Sequence, residues 1–278
     1  MARQRLGQHF LADPGWREEI ARAIRVSPQS IAPTSPIDAK SSYWLEIGAG
    51  HGEMTEHLAS TGAPVYAIEL DAQFMSGLRR LARRFPNLTI VPGDILEIEL
   101  AQLAPGRKLS VYGNLPYYIT SPILQRLFGA AEHIEEIHIV IQEEVALRLV
   151  AEPGTRDYGY LSVLTQYFAR PELVLKIPRN AFSPPPEVGS ALVTLRFPGD
   201  RVKLPTIDSA RFLDFVKLCF SQKRKTLVNN LKLRFQPDAV RDALHTRQVR
   251  PDARAEQLSV AEIATLFENL SQHPGNVR

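Results

Sequence analysis

The chain has 278 residues, of which 44% are hydrophobic and 23% are charged, a composition typical of globular proteins with one large domain or a large and a small one. It has no run of 18 apolar residues, which argues against a membrane span, and Met1–Phe10 lacks the apolar segment of a secretory signal. Cys219 is the only cysteine, which excludes a disulfide framework and a cysteine-rich metal site. We therefore expect a reducing, cytoplasmic location.

The net charge of +3 is unevenly distributed along the chain. Residues 1–200 hold 19 lysines and arginines against 22 acidic residues, whereas residues 201–278 hold 14 against 8. A basic C-terminal part indicates contact with a polyanion. A solubilising, charged helical surface would give the same distribution, so charge alone leaves both interpretations open.

The predicted elements begin with a basic arm and a helix over Pro14–Arg25, followed by a Pro- and Ser-rich loop over Ser27–Ser42. From Tyr43 onward, buried apolar runs alternate with helical stretches, which predicts a mostly parallel sheet with helices on both faces. The predicted strands are Tyr43–Gly48, Val65–Leu70, Leu88–Val91, Leu109–Tyr112 and Ile137–Ile141. The predicted helices between them are Glu53–Ser60, Ala72–Phe85, Pro122–Ala131 with Ser121 as N-cap, and Gln142–Val150.

Two closing strands are predicted at Leu173–Ile177 and Ala191–Phe197, and the alternating pattern of the second suits an antiparallel strand. The polar stretch Pro198–Pro205 is the predicted domain boundary. Beyond it the chain is predicted to be helical, with a capping box at Ser259 and Glu262 and an apolar helical stripe. The stripe comprises Phe212, Phe215, Val216, Cys219 and Phe220. The sequence thus predicts an arm and helix over 1–26, an α/β domain over 27–200 and a small all-α domain over 201–278.

The motif Leu45–Gly52 (LEIGAGHG) directly follows the first predicted strand and precedes a helix. Glycines at this position let the backbone approach a ligand closely. Their G-x-G-x-G spacing differs from the dinucleotide pattern and suits a nucleoside without a pyrophosphate. A tight turn that merely requires glycine is the alternative interpretation.

Two acids follow the next two predicted strands. Glu69 can accept hydrogen bonds from both ribose hydroxyls, and Asp94 can accept one from an adenine amino group. Each could instead be a solvated or turn carboxylate, and Asp71 is expected to be one or to cap a helix. The carboxyl ends of parallel strands share one edge of a sheet, so this order of glycines and acids indicates a nucleoside site.

The motif Gly113–Tyr118 (GNLPYY) follows the fourth predicted strand and is the most specific signal. An adenine N6 amine is a poor nucleophile, and the side-chain oxygen of Asn114 and the carbonyl of Leu115 can both accept its hydrogens. Pro116 stiffens the loop, and Tyr117 offers a ring to stack on a flipped base. The alternative is a turn that buries its aromatic rings in the core.

Eight segments together resemble the ribosomal RNA adenine N6,N6-dimethyltransferase family over nearly the whole chain. The resemblance implies a Rossmann-like methyltransferase domain, S-adenosylmethionine as methyl donor and a small helical C-terminal domain. It also implies dimethylation of two adjacent adenosines in the 3′-terminal hairpin of small-subunit rRNA, on the immature small ribosomal subunit. No metal is expected, and a monomer is the default. The segments are Gln8–Leu11, Leu45–Gly52, Ile68–Asp71, Gly93–Asp94, Gly113–Tyr117, Gln142–Arg148, Phe182–Pro186 and Phe220–Leu231.

The resemblance assigns roles residue by residue. Phe182 is expected to stack on the target base opposite Tyr117, or else to be a core residue that anchors a rigid turn. Independently of the resemblance, three consecutive cations beside an amphipathic helix suit the phosphate backbone, although a solvated helix face is the alternative: Lys223, Arg224 and Lys225. Arg3 and Arg5 of the arm are expected to add phosphate contacts. The expected cofactor contacts are His9, Leu11, Gly48, Gly50, Glu69, Asp94 and Asn114.

The chain departs from the family pattern at a few positions. His9 and Tyr118 stand where asparagine is usual, and Tyr118 puts the geometry of the loop in question. Glu144 and Glu187 replace common lysines and Gly189 a common aspartate, which weakens the expected basic surface near the site.

Three other functions compete with this interpretation. A large-subunit rRNA dimethyltransferase of the antibiotic-resistance type shares the cofactor site, but Leu115 and the segment 222–231 resemble the small-subunit type. A nicotinamide-dependent dehydrogenase leaves Asn114–Tyr117 unexplained. A non-catalytic ribosome-assembly factor is opposed by the intact Asn-Leu-Pro-Tyr core.

Overall fold

A computed structural model of the chain describes residues 9–24, 43–204 and 207–271. Arg3, Arg5 and the predicted Ser27–Ser42 loop lie outside the described residues, and so does the side chain of Tyr117. The chain divides into two compact units, of which the first is Met1–Ala146 with Glu172–Phe197 and the second is Leu147–Pro171 with Pro198–Arg278.

From β2 to β6 the described strands alternate with helices, and after β9 the described elements are helical. The strands are β1 (Phe10–Leu11), β2 (Tyr43–Ile47), β3 (Val65–Glu69), β4 (Leu88–Pro92), β5 (Leu109–Asn114), β6 (Ile134–Gln142), β7 (Arg170–Ile177), β8 (Phe182–Ser183) and β9 (Ser190–Arg196). The α-helices are α1 (Pro14–Ala23), α2 (Glu53–Ala59), α3 (Met75–Arg84), α4 (Leu100–Leu103), α5 (Thr120–Gly129), α6 (Glu143–Val150), α7 (Tyr160–Phe168), α8 (Ser209–Cys219), α9 (Leu227–Leu231), α10 (Pro237–Thr246) and α11 (Val260–Ser271). In the part of the chain that the structure describes, no helix is long and apolar enough to cross a membrane.

Seven strands form one sheet in the order β4-β3-β2-β5-β6-β9-β7. Strands β4, β3, β2, β5 and β6 pair in parallel, and β9 pairs antiparallel with β6. This confirms the predicted α/β sheet, including the antiparallel direction of the predicted strand Ala191–Phe197. The central strands β2, β3 and β5 are buried along nearly their whole length, as expected for parallel strands that are covered on both faces.

Local signals explain where several elements begin. The carboxylate of Asp13 accepts a hydrogen bond from the Trp16 amide, 3.2 Å away, and Pro14 occupies the first position of α1. The predicted Ser121 N-cap of α5 was wrong. The helix already begins at Thr120, because the Pro116 carbonyl accepts hydrogen bonds from the Ile119 amide and the Thr120 hydroxyl.

The second unit is helical, and aromatic rings form much of its core. The ring of Tyr167 in α7 lies 4.9 Å from that of Phe212, and its hydroxyl is 2.8 Å from Ser209 Oγ. This packing explains why residues 147–171 cluster with the C-terminal residues, whereas the sequence placed them in the α/β domain. The predicted capping box at the start of α11 is confirmed, since Glu262 Oε2 accepts from the Ser259 amide at 2.8 Å.

Candidate active site

The glycine motif forms a loop at the carboxyl end of β2, and a carboxylate of the neighbouring strand holds it. Gly48 and Gly50 have φ angles of +73° and +55°, which side-chain-bearing residues rarely adopt. Glu69 is only 3% exposed, and its two oxygens accept hydrogen bonds from the Gly50 amide at 2.8 Å and the Asp71 amide at 2.7 Å. Each oxygen keeps one lone pair, so this fixed carboxylate can still accept from two ligand hydroxyls.

The register of the sheet brings the predicted polar residues to one edge. Ile47 pairs with Ile68 of β3 and with Gly113 of β5, so the residues that follow them, Gly48, Glu69 and Asn114, stand side by side. In the same way, Glu69 pairs with Pro92 of β4.

Asp94 follows β4 by two residues at this edge. One of its carboxylate oxygens, Oδ1, accepts from the Leu96 amide at 2.9 Å, and its backbone carbonyl accepts from the Glu97 amide. These bonds hold a local turn and fix the direction of the carboxylate. The other oxygen is therefore the one suited to a ligand amine.

Asn114 is half-buried, and its side-chain amide nitrogen donates to the backbone carbonyl of His9, 2.9 Å away. Because the nitrogen is used in this way, the amide oxygen is the atom suited to accept hydrogens from a substrate amine. The Leu115 amide donates to the Val140 carbonyl, which fixes the next peptide unit of the loop. A Cβ at Gly113 would lie 2.7 Å from the end of the Leu115 side chain and 3.3 Å from Ile47 Cβ, so a larger residue would force the buried Leu115 side chain to move.

The segment around His9 links the loop to a second part of the chain. Strand β1 pairs antiparallel with β8, and Nδ1 of the His9 ring is 2.7 Å from the Pro184 carbonyl. Sequence reasoning missed this two-stranded sheet, and two-residue strands carry no periodic signal that could have revealed it. The backbone of His9 is thus part of the structure that orients Asn114.

The aromatic residues expected to hold a base have different environments. Phe182 is 3% exposed and belongs to the core beneath β1, together with Leu11. This burial favours the alternative interpretation of Phe182 as a core anchor. Tyr118, the departure from the family pattern, is 58% exposed.

The three predicted RNA-binding cations of the second unit are exposed on a turn between α8 and α9. Lys223 Nζ donates to the Arg156 carbonyl at 2.6 Å. The buried side chain of Asn230 donates to the carbonyls of Cys219 and Gln222, at 2.6 and 3.2 Å, and thereby closes the turn. The motif around Asn230 was part of the resemblance, but its structural role was not foreseen.

Glu46 is a buried acid directly behind the glycine loop, and sequence reasoning gave it no role. It is 3% exposed and pairs with Tyr112 of β5. Burial raises its pKa from the ordinary 4.5 to about 8, opposed by the Thr55 hydroxyl and reinforced by the charges of Glu53 and Glu69. The neutral acid is therefore the form that the folded protein favours below this pH.

The stability of Glu46→Gln relative to the parent should increase as pH rises from 5 to 8. Between 4.5 and about 8 the unfolded chain ionises Glu46 while the folded chain keeps its proton, so the parent loses stability as pH rises. The variant should gain on the parent by about 1.4 kcal/mol for each pH unit in this window. Denaturant unfolding of both proteins from pH 5 to pH 8 measures this difference. If the difference between their free energies of unfolding stayed constant over this range, the proposal that Glu46 is a neutral acid in the folded protein would be contradicted.

The family described as ribosomal RNA adenine dimethylase matches residues 1–272. The chain belongs to this family. Membership confirms the resemblance seen in the sequence and makes the chain an rRNA adenine dimethyltransferase, which excludes a nicotinamide-dependent dehydrogenase.

Two relatives are similar to this adenine dimethylase over nearly their whole length. The ribosomal RNA small subunit methyltransferase A of Acidobacterium capsulatum is 40% identical over 268 residues, which cover 96% of this chain and 90% of that protein. The protein of the same name from Chromohalobacter salexigens is 38% identical over 276 residues, covering 98% and 92%.

Solved structures support the Rossmann-like fold of the adenine dimethylase. A dimethyladenosine transferase from Plasmodium falciparum has a TM-score of 0.77 at 22% identity, with 97% of this chain and 99% of that one covered. The 23S rRNA methyltransferase ErmE has a TM-score of 0.67 at 28% identity, with 95% and 100% covered. Both share the fold over nearly the whole chain. The name of the sequence relatives favours the small-subunit type over the large-subunit type that ErmE represents.

Proposed function

We propose that this chain uses S-adenosylmethionine to dimethylate N6 of two adjacent adenosines in the 3′-terminal hairpin of small-subunit rRNA, in the cytoplasm and on the immature small subunit. One observation carries the proposal most directly. The side-chain nitrogen of Asn114 is held by the His9 carbonyl, which leaves an amide oxygen at the edge of the sheet beside the glycine loop. We take the working form to be a monomer.

The residues at this edge suit the nucleoside part of S-adenosylmethionine. A Cβ placed on Gly48 would have no neighbour within 4 Å, so space is open above the loop. Glu69 can accept from two ribose hydroxyls, and Asp94 from the adenine amine. The contacts expected of His9 and Leu11 would come from the β1 segment. When bound, the cofactor supplies a methyl group on a positively charged sulfur.

The protein contributes mainly by orienting the attacking amine. The lone pair of adenine N6 is delocalised into the ring, which makes the amine weakly nucleophilic. Acceptance of its two hydrogens by Asn114 Oδ1 and the Leu115 carbonyl favours a pyramidal nitrogen with its lone pair directed outward. Because the His9 carbonyl holds the Asn114 side chain and the Val140 carbonyl holds the Leu115 amide before the substrate arrives, little reorganisation of the loop is needed during transfer. N6-methyladenosine has one such hydrogen left, so the second transfer needs only one acceptor.

The base would be held by the aromatic ring that follows the loop. Tyr117 stands directly after Pro116, whose backbone is extended at φ −59° and ψ 133°, and we assign it to stacking on the flipped adenine. We assign Phe182 to the positioning of β1, since its ring lies in the core.

Lys223, Arg224 and Lys225 would bind the phosphate backbone of the substrate RNA. Replacing all three with glutamine should weaken binding to small ribosomal subunits and lower the salt slope of log K by about 1 for each lost phosphate contact. Fluorescence anisotropy titrations at KCl concentrations between about 50 and 300 mM measure both the affinity and the salt slope. An unchanged slope in a variant with parental unfolding temperature would mean that the turn is only a solvated surface.

The proposed reaction can be tested in bacterial cells that lack the dimethylation. Fully methylated N6 has no hydrogen left for base pairing, so reverse transcriptase should stop at two adjacent adenosines near the 3′ end of the small-subunit rRNA. Expression of the parent chain should produce both stops, and expression of Asn114→Ala should produce much weaker ones. Expressed parent protein without stops in this RNA would contradict the proposed substrate.

A further inference from the structure

Helix α3 carries four exposed arginines that the site described above does not use. Arg79, Arg80, Arg83 and Arg84 are here called the arginine face, and the helix contains no acidic residue. Their i, i+1, i+4 and i+5 spacing places them in two adjacent rows on one side of the helix. The opposite side, with Leu78 and Leu81, is buried in the core.

Most of this charge is not neutralised by neighbouring acids. Among the described residues, Arg84 alone of the arginine face has an ion pair, at 2.8 Å from Glu56 Oε1. Like charges four residues apart on a helix repel one another and destabilise it. The C-terminal end of the helix dipole favours Arg83 and Arg84, but Arg79 and Arg80 lie further from that end and gain little from it.

A polar recess lies at the start of the same helix. It has a volume of about 270 Å³ and offers Arg80 together with ring, amide and hydroxyl groups. His51 belongs to the glycine loop, and its ring and that of Phe74 lie 4.8 Å from each other. Both rings contact Phe10, which adjoins the His9 carbonyl that holds Asn114. The recess is lined by His51, Gln73, Phe74, Ser76, Gly77 and Arg80.

The chemistry of this surface suits phosphodiesters. A guanidinium presents a planar fork of donors that matches phosphate oxygens, and it is less strongly hydrated than an ammonium. All four cations of the arginine face are arginines, although lysine would serve equally well as a solubilising charge. We propose that the arginine face and its recess bind the RNA backbone next to the target adenosine, as a second RNA contact within the first unit. This inference rests on the proposed function and identifies a binding surface for the same substrate.

A matched pair of full-length double variants tests the inference. Arg79→Gln/Arg80→Gln removes two charges from the arginine face, and Arg107→Gln/Lys108→Gln removes two exposed charges near the amino end of β5. Binding is measured on unmethylated small ribosomal subunits over a range of KCl concentrations. The first variant should lose about 1–2 in the slope of log K against log salt, with affinity roughly tenfold or more weaker, whereas the second should match the parent.

Methylation kinetics provide a second readout. The KM for small subunits should rise in Arg79→Gln/Arg80→Gln with little change in kcat, because the face lies outside the catalytic loop. A variant with parental slope, affinity and KM would overturn the arginine face while leaving the proposed function intact. A parent protein that does not bind small subunits at all would overturn both, so the two failures are distinguishable.

Discussion

Asn114→Ala should lower the single-turnover rate of methyl transfer by about a hundredfold or more, while small-subunit binding stays within a few-fold of the parent. The reason is that preorganised hydrogen-bonding groups at a reacting centre typically contribute about 10²–10³ in rate. Rapid-quench measurement with saturating cofactor and small subunits separates the chemical step from binding. A variant with parental single-turnover rates would contradict the role of Asn114.

Asn114→Asp is the informative companion to this change. The carboxylate keeps an oxygen acceptor but cannot donate to the His9 carbonyl, which Asn114 does at 2.9 Å. If orientation by His9 matters, the aspartate variant should remain well below the parent although an acceptor is present. Parental activity of the aspartate variant would mean that the contact with His9 is dispensable.

Glu69→Gln should weaken cofactor binding by about two orders of magnitude and destabilise the fold. Both oxygens of Glu69 accept backbone hydrogen bonds, and glutamine would turn one of them into a donor facing an amide N–H. Hydrogen bonds to charged groups contribute about 1.5–3 kcal/mol each. The loss of one backbone hydrogen bond should therefore displace the glycine loop, and the loss of the carboxylate's pair of acceptors should weaken binding of the ribose. Calorimetric titration with S-adenosylmethionine and thermal unfolding measure the two effects.

Asp71→Asn is the matched control for this change. Asp71 is two residues away, and its carboxylate accepts from the Gln73 amide at 2.9 Å rather than from the glycine loop. Cofactor affinity in this control should remain close to that of the parent. Equal affinities for Glu69→Gln and the parent would contradict the assignment of Glu69 to the ribose.

The sheet and most of the candidate site could be predicted because the signals are local. Apolar runs that end in glycine or an acid mark the carboxyl ends of parallel strands, and such ends meet at one edge of the sheet. The order of Gly48, Glu69, Asp94 and Asn114 along the chain therefore indicates a site without any information on tertiary contacts. The register then places three of these residues, Gly48, Glu69 and Asn114, at neighbouring carboxyl ends of β2, β3 and β5.

Contacts between distant parts of the chain could not be predicted in this way. The bond from Asn114 to His9 joins residues 105 apart, and the contact from His9 to Pro184 joins residues 175 apart. Neither leaves a periodic pattern in the sequence. The burial of Phe182 likewise depends on the pairing of β8 with β1, so the sequence favoured a stacking residue and could not reveal the core position.

The assignment of α7 shows a similar limit. Its apolar residues predict burial but not the partner against which they are buried. The contact between Tyr167 and Phe212 places this helix with the C-terminal helices, and no local signal in residues 147–171 marks that choice.

Methyl transfer from labelled S-adenosylmethionine to purified ribosomal subunits tests the central claim most directly. Unmethylated small subunits are the substrate, large subunits are the control, and nucleoside mass spectrometry with fragment mapping identifies the product. We expect N6,N6-dimethyladenosine at two adjacent positions near the 3′ end of the small-subunit RNA and none in large subunits. Label confined to large subunits, or no label in either despite cofactor binding, would contradict the account.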